Sequence, residues 1–252
     1  SLNSAINSSV GEYIARMDAD DISSIDRLSL QADFLDNNKL IGMTGTWAKI
    51  IDSSGDEINK VKLPTTSRTI NKRMRYGNQF IHGSAMFRKE VFLDVDGYDE
   101  SFKFSQDYDL WLRIIKKSNI ININKYLYFL RVHDDSISIK NNGSQLENAA
   151  RCITKNICHN KLKYSYLPTI FCKCSVCNGN GINSNIVNEK VKDIVYARLL
   201  LRRGEFNDAK FYYAKVGNLE SYTMLFLLKY EGITLLAKRM YRTIRSILDW
   251  RF

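Results

Sequence analysis

Asp18-Ala19-Asp20-Asp21 places three carboxylates within four residues. Carboxylates two apart can turn into one cavity and hold a hard divalent cation, Mg²⁺ or Mn²⁺, through oxygen ligands. The same run also suits a solvated loop ahead of a helix, where acids gain about 0.3–1 kcal/mol each from the helix N-terminus. Gln106-Asp107-Tyr108-Asp109-Leu110-Trp111 is a second constellation. There Asp107 falls at or before the first turn of an amphipathic helix that packs through Tyr108 and Trp111. A carboxylate so placed can take a proton from a hydroxyl as general base, or simply cap the helix. In Arg131-Val132-His133, side chains two apart on an extended segment face one side, so a cation and an imidazole can approach a diphosphate or its metal together. A plain surface pair fits that spacing equally well. His82 precedes Gly83 and Ser84, small residues that let a ligand come close to the backbone.

The elements needed to position these groups can be read from periodicity. Leu2, Ala5, Ile6 and Val10 have helical spacing, ended by Gly11, and Glu12 to Met17 reads as a short strand running into the acidic cluster. Ser23 with Asp26 has a capping-box pattern, and Ile25, Leu28, Ala32 and Leu35 repeat at threes and fours, which predicts a helix. Leu40 to Ile51 reads as a strand closed by the turn Ser53-Ser54-Gly55-Asp56. Short helices are expected over Arg68–Tyr76 and around Val91, and strands over Phe80–Phe87 and Tyr126–Leu130. Between them the loop Gly97-Tyr98-Asp99-Glu100 leads into the helix whose Tyr108, Trp111, Leu112 and Ile115 share a face. This alternation argues for α/β layers.

The second half reads differently. Polar, glycine-containing breaks at 141–144 and 179–184 set off a linker-like segment, 141–189, and the pattern from 190 to 252 is helical. Ile194, Ala197, Leu200 and Leu201, then Ala209, Tyr212, Tyr213 and Val216 after the Gly204 turn, outline a helical hairpin. All five cysteines lie between Cys152 and Cys177, a number and placement that favour reduced thiols and a cytoplasmic setting over a disulfide scaffold. Cys172, Cys174 and Cys177, with Cys158 and His159, raise a zinc site, against which stands the lack of a second C-x-x-C pair.

The net charge of +10 calls for an anionic partner; no aromatic-interleaved RNA motif accompanies it, so nucleic acid is not expected. From Tyr222 to Phe252 basic and apolar residues mix, as in helices that lie peripherally on anionic membrane, here the inner face of the cell membrane, or that pack on a neighbour.

Taken in order, residues 11–21, Asp26-Arg27-Leu28 with Gln31, residues 82–89, Gly97-Tyr98-Asp99-Glu100, residues 106–111 and Arg131-Val132-His133 resemble the family 2 glycosyltransferases of GT-A fold, bacterial surface-polysaccharide type. The resemblance spans about residues 1–140 and implies a partial GT-A catalytic domain there, a Rossmann-like mixed sheet flanked by helices, lacking its first strands and followed by the helical C-terminal region. It implies an inverting, metal-dependent enzyme moving sugar from a nucleotide-sugar donor to a glycan or lipid-linked acceptor. The alternative is an inactive, glycosyltransferase-like binding subunit. Asp20 would be the direct ligand of Mn²⁺ or Mg²⁺. Asp18 would lie nearer the ribose or diphosphate while also serving the metal, and Asp21 would assist. Asp107 would be the catalytic base, Arg131 and His133 would close over the diphosphate with His133 on the metal, and His82 would sit near donor sugar or acceptor.

Two departures stand out. Gln106 replaces the glutamate of many members, and the family's opening base-reading strand has no counterpart, which predicts a fragment with an uncovered sheet edge that folds poorly by itself. A cooperative unfolding transition in the isolated chain would contradict that last expectation.

Overall fold

The computed structural model describes residues 2–74, 77–133, 142–156, 193, 196–197, 200 and 206–216. The chain divides into two compact units, Ser1–Ile157 and Cys158–Phe252.

The first unit is a six-stranded mixed sheet with helices against it, the layered α/β arrangement expected. Its strands are β1 (Tyr13–Ala15), β2 (Ile22–Ser23), β3 (Ile41–Ile51), β4 (Glu57–Val61), β5 (Met86–Arg88) and β6 (Asn119–Arg131). They lie in the order β1-β5-β3-β6-β2, with β4 pairing along β3. The long strands β3 and β6 are parallel, and the other pairings are antiparallel. Ligands in α/β sheets commonly sit beyond the carboxyl ends of parallel strands, and here those ends fall at Ile51 and Arg131, which are register partners.

Around the sheet are α1 (Leu2–Ser8), α2 (Arg27–Asn37), α3 (Ser67–Arg73), α4 (Lys89–Leu93), α5 (Gln106–Ile114) and α6 (Asn142–Asn156). Helix α5 buries Tyr108, Asp109, Leu110, Trp111, Leu112 and Ile114. Trp111 is fully buried and meets Phe80, His82 and Phe87 at ring-centroid distances of 6.3, 6.2 and 5.9 Å. That aromatic cluster fixes the helix carrying Asp107.

Several local expectations are corrected. Ser23 does not cap α2: it lies in β2, paired with Tyr128 of β6, and the cap position falls to Asp26, whose side chain makes no capping bond. Nor does α2 bury the apolar stripe its spacing suggests. Ile25 is 95% and Leu28 51% exposed, while the buried stripe is Arg27, Gln31 and Leu35, four apart. The reason is that this face packs on backbone carbonyls. Arg27 donates to the carbonyls of Arg16 and Gly83, and Gln31 to those of Thr44 and Ser84.

The strand expected over Phe80–Phe87 is a single 3₁₀ turn, His82–Ser84, followed by β5. Strand β6 begins at Asn119, seven residues before the expected start. Its Asn122 is buried and donates to the carbonyls of Pro64 and Gln79. β4 is a polar, exposed hairpin arm that carries no apolar signal.

In the second unit, α7 (Phe206–Val216) is helical as expected. Tyr212 meets Tyr196 edge-on at 4.4 Å, and Ala197, Leu200 and Ala209 are buried. Cys158, His159, Cys172, Cys174, Cys177 and the stretch 222–252 lie outside the described residues. Cys152 is a buried free thiol. Among the described residues no helix is long and apolar enough to cross a membrane.

Candidate active site

The acidic loop follows β1 and is fastened from three sides. Asp21 is 6% exposed, and both its oxygens are taken: Tyr128 Oη donates to Oδ2 at 2.5 Å and the Arg131 backbone N–H to Oδ1 at 2.7 Å. Burial pushes its carboxyl above the ordinary range, against the pull of those two bonds. The Tyr128 hydroxyl also accepts from the Asp18 backbone N–H at 3.2 Å. Arg131 spreads its guanidinium over the carbonyls of Asp20, Asp52 and Ser53 at 2.8–2.9 Å, so the turn after β3 and the acidic loop share one clamp.

With Asp21 turned inward, Asp18 and Asp20 are left facing out. The Asp20 side chain is 51% exposed and its Oδ2 lies 3.4 Å from His133 Nε2. Asp18 Oδ1 pairs with Arg16 Nη2 at 2.5 Å. Its Oδ2 lies 3.0 Å from where a Cβ on Gly83 would stand. That same Cβ would fall 1.9 Å from Tyr128 Oη, so position 83 has no room for a side chain while Tyr128 holds the loop. The glycine after His82 is thus a packing requirement of the acidic loop.

Asp107 lies in the first turn of α5. Asn78 Nδ2 donates to its Oδ2 at 2.7 Å, and Asn78 Oδ1 accepts from the Phe80 N–H at 3.0 Å, which sets the amide's orientation. Among the described residues Asp107 Oδ1 has no partner. One turn on, Trp111 lies on the same helix face and meets the His82 ring at 6.2 Å, which brings His82 to the end of α5 that carries Asp107. Burial lowers the His82 pKa, opposed by Asp107 and Asp18 and assisted by Arg16. Those influences show that the base candidate, the acidic loop and His82 belong to one neighbourhood.

Of the residues singled out in the sequence, Asp18, Asp20, Asp21, Arg131 and His133 are therefore drawn together around the ends of β1 and β6, and the charges of Asp18 and Asp107 both act on His82. Among the described residues no group of three or more His, Cys, Asp or Glu side chains forms a metal cage by itself. Periodicity and charge pointed to the acids but missed Tyr128, Asn78 and Tyr98, whose roles come from pairings 16 to 110 residues apart in sequence. Asp109 was also missed as a structural acid. It is fully buried, and binds Arg113 Nε at 2.8 Å and Asn156 Nδ2 at 2.6 Å, which locks α5 to α6.

Comparison with known proteins is consistent with this geometry. A family model described as glycosyltransferase like family 2 matches residues 1–159. The O-antigen biosynthesis glycosyltransferase WbnJ of Escherichia coli is 38% identical over 138 residues, 54% of this chain and 53% of that one. The UDP-Gal:alpha-D-GlcNAc-diphosphoundecaprenol beta-1,3-galactosyltransferase, also of Escherichia coli, is 25% identical over 131 residues, 52% of this chain and 47% of that one. The chain spans about half the length of these curated relatives. Among solved structures, the mannosyltransferase PcManGT from Pyrobaculum calidifontis, in complex with GDP-Man and Mn2+, aligns at 15% identity and a TM-score of 0.42, over 98% of this chain and 63% of that one.

Proposed function

The chain belongs to the glycosyltransferase like family 2, and from that premise we propose that it moves a sugar from a nucleotide-sugar donor to an acceptor hydroxyl in surface-polysaccharide synthesis, with inversion at the sugar carbon. The observation that carries the reading is Asp107. It is a carboxylate fixed by Asn78 through one oxygen, with the other oxygen unpartnered among the described residues, on a helix locked by buried aromatics.

The donor set at the loop fits a divalent cation. Asp20 Oδ2 and His133 Nε2 are neighbouring, partly exposed oxygen and nitrogen donors, and Asp18 adds a carboxylate from the same loop. One or two carboxylates completed by substrate phosphates is the usual way Mg²⁺ is bound, and imidazole with carboxylate also suits Mn²⁺. Bound there, the cation would act as a Lewis acid on the leaving diphosphate. Asp20 and His133 would hold it, while Asp21, Tyr128 and Arg131 keep the loop in shape. Asp107 Oδ1 takes the proton of the acceptor hydroxyl as that oxygen bonds to the anomeric carbon. The bond from that carbon to the diphosphate oxygen breaks, and the nucleoside diphosphate departs with the electron pair. The proton passes from Asp107 to solvent.

The printed activity of the Escherichia coli galactosyltransferase, on a diphosphoundecaprenol-linked sugar, supports a lipid-linked acceptor as one class to test. Such an acceptor would bring the protein to the inner face of the membrane. The test is transfer or donor hydrolysis by the full-length protein with a panel of UDP-, GDP- and dTDP-sugars, with and without Mn²⁺. Turnover that needs the metal and is lost in Asp20→Ala supports the proposal. Turnover unaffected by chelation removes the metal from it, and no turnover with any donor and acceptor by a folded protein favours a binding subunit.

A further inference from the structure

Tyr98 belongs to the Gly97-Tyr98-Asp99-Glu100 loop, which the proposed chemistry leaves without a task. The backbone goes to some cost to place it. Asp96 and Gly97 both adopt left-handed conformations, with φ of 60° and 63°, a region that disfavours a non-glycine residue. Asn3 of α1 then holds Tyr98 from both sides: its Nδ2 donates to the Tyr98 carbonyl and its Oδ1 accepts from the Tyr98 N–H, each at 2.9 Å. The ring is 4% exposed, and its hydroxyl lies 2.9 Å from His82 Nε2.

The direction of that bond follows from proton accounting. Burial raises the phenol's pKa far above neutrality, so it keeps its proton. The described structure offers that proton one acceptor, His82 Nε2. If Nε2 instead carried hydrogen and donated, the phenol's own proton would be buried without a partner, which costs about 1–3 kcal/mol. Nε2 therefore accepts, and in the neutral imidazole the hydrogen sits on Nδ1. Among the described residues Nδ1 has no partner, and the ring packs on Trp111, one helical turn after Asp107, whose charge acts on it and whose Oδ1 is likewise unpartnered. A donor and an acceptor left open in one neighbourhood match the two needs of a hydroxyl, which accepts one hydrogen bond and donates another.

We propose that Tyr98 is a positioning residue that fixes His82 as its Nδ1–H tautomer, and that His82 donates this N–H to the oxygen of the same acceptor hydroxyl that gives its proton to Asp107. This rests on the transferase reading of the site and adds to it a residue that recognises the acceptor.

Two readouts on the full-length protein test it. The first is the tautomer of His82, from the ¹⁵N shifts of its two ring nitrogens, assigned among the three histidines of the chain with His82→Gln. The expected result is hydrogen on Nδ1 in the wild type, and loss of that preference in Tyr98→Phe, which removes only the hydroxyl. An Nε2–H tautomer in the wild type overturns the proposal. The second is kinetic. Tyr98→Phe and His82→Gln should each raise KM for the acceptor, roughly fivefold for loss of one neutral hydrogen bond, with KM for the donor unchanged. A changed donor KM with an unchanged acceptor KM overturns the acceptor role. The tautomer readout needs no turnover, so it decides the positioning claim independently. A protein that shows the Nδ1–H tautomer but transfers no sugar counts against the transferase reading and against the acceptor role of His82, while the Tyr98 assignment stands.

Discussion

Three acids within the loop illustrate how placement sorts identical side chains. Asp21 is buried and accepts from Tyr128 and the Arg131 backbone, so it serves the loop's shape, whereas the side chains of Asp20 and Asp18 are 51% and 39% exposed. The shape depends in turn on Gly83, since a Cβ there would collide with the Tyr128 hydroxyl and the neighbouring ring carbon, at 1.9 and 2.5 Å. Neither the 3₁₀ turn nor β6 can shift without moving the sheet. Gly83→Ala should therefore destabilise the unit by about 1–3 kcal/mol, the usual range for overpacking, read as a fall in urea midpoint at unchanged slope. It should also raise the Mn²⁺ concentration needed for half-maximal turnover, because Tyr128 holds the backbone of Asp18. A variant as stable as wild type would show that Tyr128 can move aside freely.

At the scale of elements, the motif residues divide into those that do chemistry and those that build. Arg27 and Gln31 of α2 and Arg88 of β5 belong to the segments that resemble the family, and all three bind backbone carbonyls. Arg88 reaches the carbonyls of Ile41 and Leu35 at 3.1 and 2.6 Å, joining β3 to the end of α2. Arg27 is 1% exposed, with the Tyr128 ring 5.3 Å from its guanidinium carbon. Replacing it by Leu keeps the volume roughly constant but strands the carbonyls of Arg16 and Gly83 without donors. The expected loss is about 3 kcal/mol, measured by chemical denaturation, and a loss under 1 kcal/mol would mean that water satisfies those carbonyls.

This is also where sequence reading reached its limit. Apolar periodicity finds helices whose inner face meets apolar surface, as in α5, where Tyr108, Trp111 and Leu112 are buried as expected. It misplaces the face of α2, which meets carbonyls, and it shortens β6, whose first half is asparagine-rich yet central. The acids and His82 were legible because their types are chemically marked. Tyr98, Asn78 and Tyr128 were not, since an ordinary aromatic or amide becomes part of a site through a fold that joins distant segments.

For the first unit as a whole, pH offers a test that needs no substrate. Burial holds the His82 pKa below its value in an unfolded chain, about 6.5. The unfolded state then binds more protons than the folded state below that pH, so stability is full above about pH 6.5 and declines as pH falls toward the folded value. Lys155 holds Asp99 below the ordinary carboxylate range, so its contribution is present above about pH 3.9 and is lost on further acidification. Thermal midpoints should thus be flat from pH 7 to 8, fall below 6.5 and fall again below 4. His82→Gln should remove the first decline and leave the second. Asp21, whose carboxyl pKa is raised by burial, adds stability as pH falls and acts alike in both proteins. A wild-type midpoint that falls no more than that of His82→Gln between pH 6.5 and 5 would therefore contradict a buried neutral His82.

The central claim is that Asp107 is the base of a sugar transfer. Its most direct test is single-turnover transfer by the full-length wild type and by Asp107→Asn, with donor binding measured in parallel. The amide keeps the size of the side chain and can still meet Asn78, but it cannot take a proton. The account predicts unchanged donor affinity and a transfer rate reduced by about 10²–10⁴-fold, the range for losing a general base. Transfer within a few-fold of wild type would contradict it.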